Sequence, residues 1–262
     1  MASGSTPLRC VRLSCMSFYD EIVNDYEDIT AQQARQEAAD AFCERFVDLT
    51  HSETILDAGC GSGLYAMTFA RMGLDVIGED ISESLLAMAK RQAMDEQLDV
   101  RWISCAFDEI NSHVTRSVDA VVCMGNSLVH VLSDNDLARV MMNFSKVLNP
   151  AGLLAIQVLN YDRLIKQQER IVGVSRSGEK EFIRFYDYLD RLVRFNILTI
   201  DSCGGELSTH LSSTLHRPYR VDELSEACKL AGFEEPELFG DLHMGPYNPA
   251  ESASVILLAR KA

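Results

Sequence analysis

The chain has 262 residues, with 24 Lys+Arg against 39 Asp+Glu, a formal charge of −15 and an isoelectric point near 4.8. That balance disfavours nucleic acid and anionic membrane surfaces, which are bound through basic patches, and no apolar run approaches the roughly 18 residues of a spanning helix. A hydrophobic content of 47% and a mean hydropathy of −0.03 fit one globular domain with room for an insertion. The eight cysteines form no C-x-x-C pair and no zinc-ligand spacing, so no metal site and no disulfide framework are expected, and a reducing, cytoplasmic setting is the simpler one.

In chain order, Met1 to Cys15 carries Arg9 and Arg12, no acid and no apolar core of a signal peptide. Residues 1–16 are expected to be a disordered extension ahead of a domain spanning 17–262. Helical patterning runs over 19–48, with apolar or small residues at 34, 38, 41, 42, 46 and 49. Next comes Thr54-Ile55-Leu56-Asp57-Ala58-Gly59-Cys60-Gly61-Ser62-Gly63: an apolar strand at 54–58 carries a carboxylate near its end, three glycines take alternate positions, and a helix pattern opens at Leu64. Glycine has no Cβ, so such a turn lets a ligand lie against bare backbone at a helix N-terminus. The dinucleotide fingerprint G-x-G-x-x-G would need its third glycine at position 64, where leucine stands, and Asp57 would meet a pyrophosphate with unwanted charge. A ligand with a positively charged end suits that carboxylate better.

A second strand, 75–79, leads into Asp80, seventeen residues after Gly63. In βαβ nucleotide sites an acid at this point accepts ribose hydroxyls, which selects Asp80, with Glu79 as the alternative acid. Ser82 is the N-cap candidate for a helix from Glu83 to Met94. A third strand is placed at 100–103. The fourth, 119–123, is an apolar run of the doubly buried, parallel type, and its C-terminal end carries Gly125, Asn126, Ser127 and His130. A fifth strand is placed at 153–159. Strands alternating with helices imply a doubly wound, Rossmann-like, mostly parallel α/β sheet. The rhythm breaks over 181–217, where runs at 182–188, 191–198 and 207–211 read as antiparallel strands around the turn Asp201-Ser202-Cys203-Gly204-Gly205. These form an inserted β subdomain, about 175–217, placed to act as a lid. A last helix, Val221–Ala231, stops at Gly232.

Asp57 with Gly59, Gly61 and Gly63 resembles motif I (D/E-x-G-x-G-x-G) of the class I S-adenosylmethionine (SAM) methyltransferases. Val76 to Ser82 matches their V-x-G-x-D-x-S pattern. Gly125-Asn126-Ser127 with His130, the run Gly152 to Ile156 leading into Asn160-Tyr161-Asp162, and the tail from Gly240 to Lys261 are similar to the glycine N-methyltransferase-like small-molecule enzymes. The resemblance covers Phe18 to Lys261. It implies SAM as cofactor, a small amine as acceptor, and a helix near the N-terminus covering the cofactor. It implies that Gly59, Gly61 and Gly63, with Ala58 and Met124, line the cofactor, that Asp57 serves the methionine ammonium directly or through water, and that Asp80 binds ribose. Ile81, Ala106 and Phe107 would flank adenine, with Asp108 standing in for the acid that the wider family often has at Cys105. Arg35 would pair the methionine carboxylate, and Asn126 would also touch the cofactor.

For the acceptor, Asn126 is the leading catalytic candidate, because an Asn at a strand end facing the crevice has little packing reason to be there; the competing reading is a turn residue. Tyr26 and His216 are the other catalytic candidates, and Tyr19, His130, Tyr219 and Tyr247 complete the substrate side. The run His216-Arg217-Pro218-Tyr219-Arg220 brings positive charge to the expected mouth, where it would hold a substrate carboxylate or phosphate, or be surface charge. Three functions follow: N-methylation of an amino acid or other small amine; O-, C- or N-methylation of a natural product or amino sugar; and a SAM-binding module without turnover. A homo-oligomer is left open.

Overall fold

The computed structural model describes residues 17–262, so the expected extension at 1–16 lies outside the described residues. Five strands run parallel in the first half of the domain: β1 (Thr54–Ala58), β2 (Asp75–Asp80), β3 (Val100–Ser104), β4 (Val118–Cys123) and β5 (Leu148–Leu159). Four antiparallel strands follow, β6 (Ile171–Ser177), β7 (Lys180–Tyr188), β8 (Val193–Asp201) and β9 (Ser208–His216), and then β10 (Glu237–Phe239) and β11 (Ser254–Arg260). The main sheet has the order β10-β11-β5-β4-β1-β2-β3, with β11 antiparallel to both neighbours. Strand order reverses beside β1, so the crevice opens at the carboxyl ends of β1 and β4, where α/β sheets bind ligands.

Period-two alternation explains why β4 reads as an unbroken apolar run. Ala120 and Val122 enter the core under helices Gln32–Thr50 and Leu64–Arg71, while Val121 and Cys123 enter the opposite core under helices Asp134–Val147 and Val221–Leu230. Ser82 caps helix Glu83–Asp95, its Oγ accepting the Leu85 N–H at 3.3 Å, as the sequence implies.

Three expectations need correction. The helix read over 19–48 is broken: 17–22, Val23–Asp25 and Tyr26–Thr30 form an arm, and Ala31 turns left-handed (φ 50°) before Gln32–Thr50. The two parts pack on different partners, which one straight helix could not reach. Phe18, Ile22 and Ile29 cluster with Phe182 and Ile197 of the insertion, while Phe42 and Phe46 pack on Tyr65 and Phe69. Strand β5 starts at Leu148, because the ladder to Val118 continues before a bulge at 149–152 in which Ala151 has φ 60°. The insertion starts at Ile171, because β6, unread in the sequence, pairs with β7 through a tight turn at Gly178 (φ 57°).

Candidate active site

Gly59, Gly61 and Gly63 all have positive φ (72°, 57° and 90°), which places the turn in the region open to glycine. The N–H groups of Gly59 and Cys60 both donate to the Glu79 carbonyl at 2.8 Å, clamping the turn to the end of β2. A Cβ at Gly61 would lie 2.9 Å from the Tyr26 hydroxyl, and one at Gly59 2.7 Å from Ser127 Cβ, so arm and β4 loop close on the bare backbone. Gly63 is glycine for packing, since its Cβ would meet the Trp102 ring at 2.9 Å. Asp57 is buried, and its Oδ2 accepts the Ala66 N–H at 3.0 Å, tying helix Leu64–Arg71 to β1. Burial pushes its carboxyl up to about 7, with the Ala66 hydrogen bond opposing and the Asp80 charge adding. Asp57, Ala58 and Gly63 thus support the turn from beneath; none of the three lines the cleft.

The cleft has two adjoining halves that share Tyr19, Tyr26, Gly59, Ser127 and His130. In the first, Ile81, Leu85, Ala106, Phe107 and Val140 form an apolar slot beside the buried acids Glu79 and Asp80. Asp80 accepts the Gly61 N–H through Oδ2 and the Ser82 N–H through Oδ1, both at 2.8 Å. Glu79 sits lower, its Oε2 accepting from Gly59 N–H at 3.3 Å and its Oε1 from Cys105 Sγ at 3.8 Å. Burial raises both carboxyls, that of Glu79 further because Asp80 is close. Asp108 and Asp136 stand at the rim, and among the described residues no Lys or Arg lines this half.

The second half runs from Arg35, Cys60 and Tyr65 past Met124 and Asn126 to the inner face of the insertion, with Arg184, Tyr186, Phe195, Ile197 and His216. Among the described residues it has no Asp or Glu. Asn126 (φ 70°) uses its amide on the fold: Nδ2 donates to Tyr161 Oη at 3.0 Å, and Oδ1 accepts the Leu159 N–H at 3.0 Å. Both ends of the amide are therefore engaged by β5 and the helix that follows it, while the residue still lines the cleft. His216 is stacked on Phe195 (5.0 Å, 19°) and edge-on to His130 (4.7 Å), and its buried Nδ1 lacks a hydrogen-bond partner. His130 Nε2 meets Tyr19 Oη at 2.9 Å. Burial lowers His130 to about 4 and His216 further, with His130 contributing to the latter, so both rings are neutral at pH 7.

Other expected substrate residues sit elsewhere. Arg217 pairs with Asp134 and Glu223 at 2.6 and 2.7 Å, and Arg220 with Asp162 at 2.9 Å, so the charge of the 216–220 run is spent on ion pairs outside the cleft. Tyr219 and Tyr247 brace loops, donating to the Val131 carbonyl and to Asn160 Oδ1, and neither lines the cleft. The sequence reading missed Arg184, whose alternation with Phe182 and Tyr186 on β7 was the available signal, and Ser127, whose Oγ donates to the Gly59 carbonyl at 3.1 Å.

Residues 55–152 match a family model described as a methyltransferase domain. This is the part of the chain that carries the glycine turn, Asp80 and the β4 loop. The chain carries a methyltransferase domain. It is 28% identical to a glycine/sarcosine N-methyltransferase from Parasynechococcus marenigrum over 88% of this chain and 82% of that one. In fold it is similar to a SAM-dependent methyltransferase from Clostridium acetobutylicum (TM-score 0.79, 15% identity, 92% and 98% of the two chains covered). It is also similar to an amino pentose methyltransferase from Micromonospora echinaspora solved with SAM bound (0.66, 17%, 86% and 90%). Among the described residues no helix is long and apolar enough to cross a membrane.

Proposed function

We propose that this methyltransferase moves the SAM methyl group to the nitrogen of a small amine, an amino acid or a close analogue. The observation that carries it is the make-up of the acceptor half: a wall rich in aromatic side chains and uncharged imidazoles, with, among the described residues, no carboxylate and no imidazole basic enough at neutral pH to deprotonate a hydroxyl. Phenol or carbon acceptors want such a base; an amine that arrives neutral does not.

The residues present fit SAM. The slot of Ile81, Leu85, Ala106, Phe107 and Val140 suits adenine, Asp80 can accept ribose hydroxyls beside its backbone bonds, and Gly59 and Gly61 present bare backbone to the cleft. Arg35, at the far end of the same cleft, suits the methionine carboxylate. When bound, SAM supplies a methyl group already activated by its sulfonium. The protein's part is alignment and exclusion of water. The arm does the excluding: Tyr19 and Tyr26 lie over the cleft, and Lys180 on β7 holds Asp25 of the arm at 2.8 Å. Tyr19 and His130 present a hydroxyl and an imidazole that orient an amine without charging it. Asn126 fixes the end of β5, and so the wall the acceptor meets.

A second reading, an amino-sugar nitrogen as acceptor, draws on the likeness to the amino pentose methyltransferase. Transfer from radiolabelled SAM to a panel of glycine, sarcosine, dimethylglycine, other amino acids, amino sugars and phenols tests both. Turnover of an amino acid supports the first, turnover confined to amino sugars supports the second, and turnover of phenols alone sinks both.

A further inference from the structure

We propose that Arg184, on the insertion, reads a carboxylate on the methyl acceptor and so restricts it to amino acids. This rests on the methyl-transfer reading. Alternation along β7 sends Phe182, Arg184 and Tyr186 to one face, and Arg184 and Tyr186 line the acceptor half of the cleft. The neighbouring strand is cut to fit: Gly173 is the ladder partner of Arg184, and a Cβ there would sit 2.4 Å from an Arg184 Nη. Any other residue at 173 would push the guanidinium aside. No carboxylate pairs with Arg184 among the described residues, and its Nε is buried without a hydrogen-bond partner. This distinguishes it from Arg217 and Arg220, whose charges are already matched.

Charge counting gives the occupant. Arg35 and Arg184 line the same half-cleft and repel each other enough that burial and Arg35 together lower the Arg184 ionisation. SAM brings one carboxylate, which satisfies one guanidinium. A neutral or cationic acceptor would leave the second desolvated and unpaired, an expensive state. An acceptor that brings its own carboxylate removes that cost with charge-assisted hydrogen bonds. A chain of net charge −15 that keeps acids out of this half and puts two arginines into it has selected an anion there.

The test is calorimetric titration of the full chain, loaded with S-adenosylhomocysteine, with a panel of amino acids and the corresponding amino-acid amides, acetate and O-phosphoethanolamine. At least one amino acid should bind about tenfold or more tighter than its amide, the loss expected for one charge-assisted pair. Arg184→Gln should remove that preference while leaving S-adenosylhomocysteine affinity within about twofold. Arg184→Lys should restore part of it, and Gly173→Ala, which moves the guanidinium but keeps its charge, should weaken the amino acid while sparing the amide. Equal binding of acid and amide, no binding of any carboxylate probe, or tighter binding of O-phosphoethanolamine than of every amino acid overturns the proposal. So does an Arg184→Gln variant that loses S-adenosylhomocysteine and keeps the amino acid, which would hand Arg184 to the cofactor. These are binding readouts. Failure of methyl transfer to every amine would overturn the function proposed above and leave the question of Arg184 still decided.

Discussion

The two halves of the cleft share five residues and differ in sign. One is lined by Glu79, Asp80, Asp108 and Asp136 without a Lys or Arg, and the other by Arg35 and Arg184 without an Asp or Glu, among the described residues. Glu79 and Asp80 sit at the end of β2, on a strand fixed by a parallel ladder to β1 and by backbone N–H groups that donate to the carboxylates, while Asp108 follows β3 and Asp136 lies in the first turn of helix Asp134–Val147. The arginines sit on parts added to that sheet, the helix Gln32–Thr50 and the lid strand β7. The difference teaches that Glu79 and Asp80, proposed to face the cofactor, belong to the sheet itself, whereas the arginines proposed to meet anions stand on elements packed against it.

The strongest way to break this division is at Asp80. Asp80→Ala removes the ribose acceptor and the two N–H bonds that shape the turn, so SAM affinity should fall about 100-fold, close to 3 kcal/mol. Equilibrium dialysis or calorimetry reads it directly, and an affinity unchanged within error removes Asp80 from the ribose site. Arg35→Met should cost SAM about tenfold, since one partly exposed ion pair is lost, and should leave acceptor selectivity as it was. A shift in acceptor preference instead would exchange the roles of the two arginines. Asn126→Ala should act through β5: loss of its bonds to Leu159 and Tyr161 should lower stability by about 1–2 kcal/mol and turnover by only about threefold. A 100-fold loss of kcat with an unchanged Tm would return Asn126 to the chemistry.

The acid half was legible in the sequence because local rules fix it. Alternate glycines, an acid at the end of a second strand and Ser82 as a cap each follow from short spacing and backbone geometry, and the first half of the cleft is assembled around those segments. The arginine half was not, because it depends on long-range placement. Arg184 enters the cleft only once β6, interrupted by Gly173 and not assigned from the sequence, pairs with β7. The charges of the 216–220 run looked free because Asp134 and Asp162, distant in sequence, join the nearby Glu223 in neutralising them. The break at Ala31 was hidden for the same reason, since the residues that bend the chain there lie on the lid.

The same division shows in the response to pH, and here the expected effect is smallest because its two parts oppose. In the unliganded protein Asp57 is raised to about 7, and Glu79 and Asp80 are also raised, each first by burial. Raised carboxyls give stability that is full below their ordinary range and lost as pH climbs towards 7. His130 is lowered to about 4 and His216 is lowered too, again by burial. Lowered histidines give stability that is full above their ordinary value and lost as pH falls towards 4. Between pH 7 and 4 the buried acids add stability while the histidines remove it, so the wild-type Tm should report only their difference. Substitution on either side should unmask the other. Asp57→Asn keeps an oxygen for the Ala66 N–H but cannot ionise, so its Tm should fall on acidification, by roughly 2–4 °C for each kcal/mol released. His216→Phe keeps a ring between Phe195 and His130 but cannot take a proton, so its Tm should rise over the same interval. Calorimetric scans at pH 4, 5.5 and 7 decide it. Two variants that track the wild type in parallel would mean that these buried groups do not titrate as their surroundings require, and that the electrostatic contrast between the halves ends at the surface of the cleft.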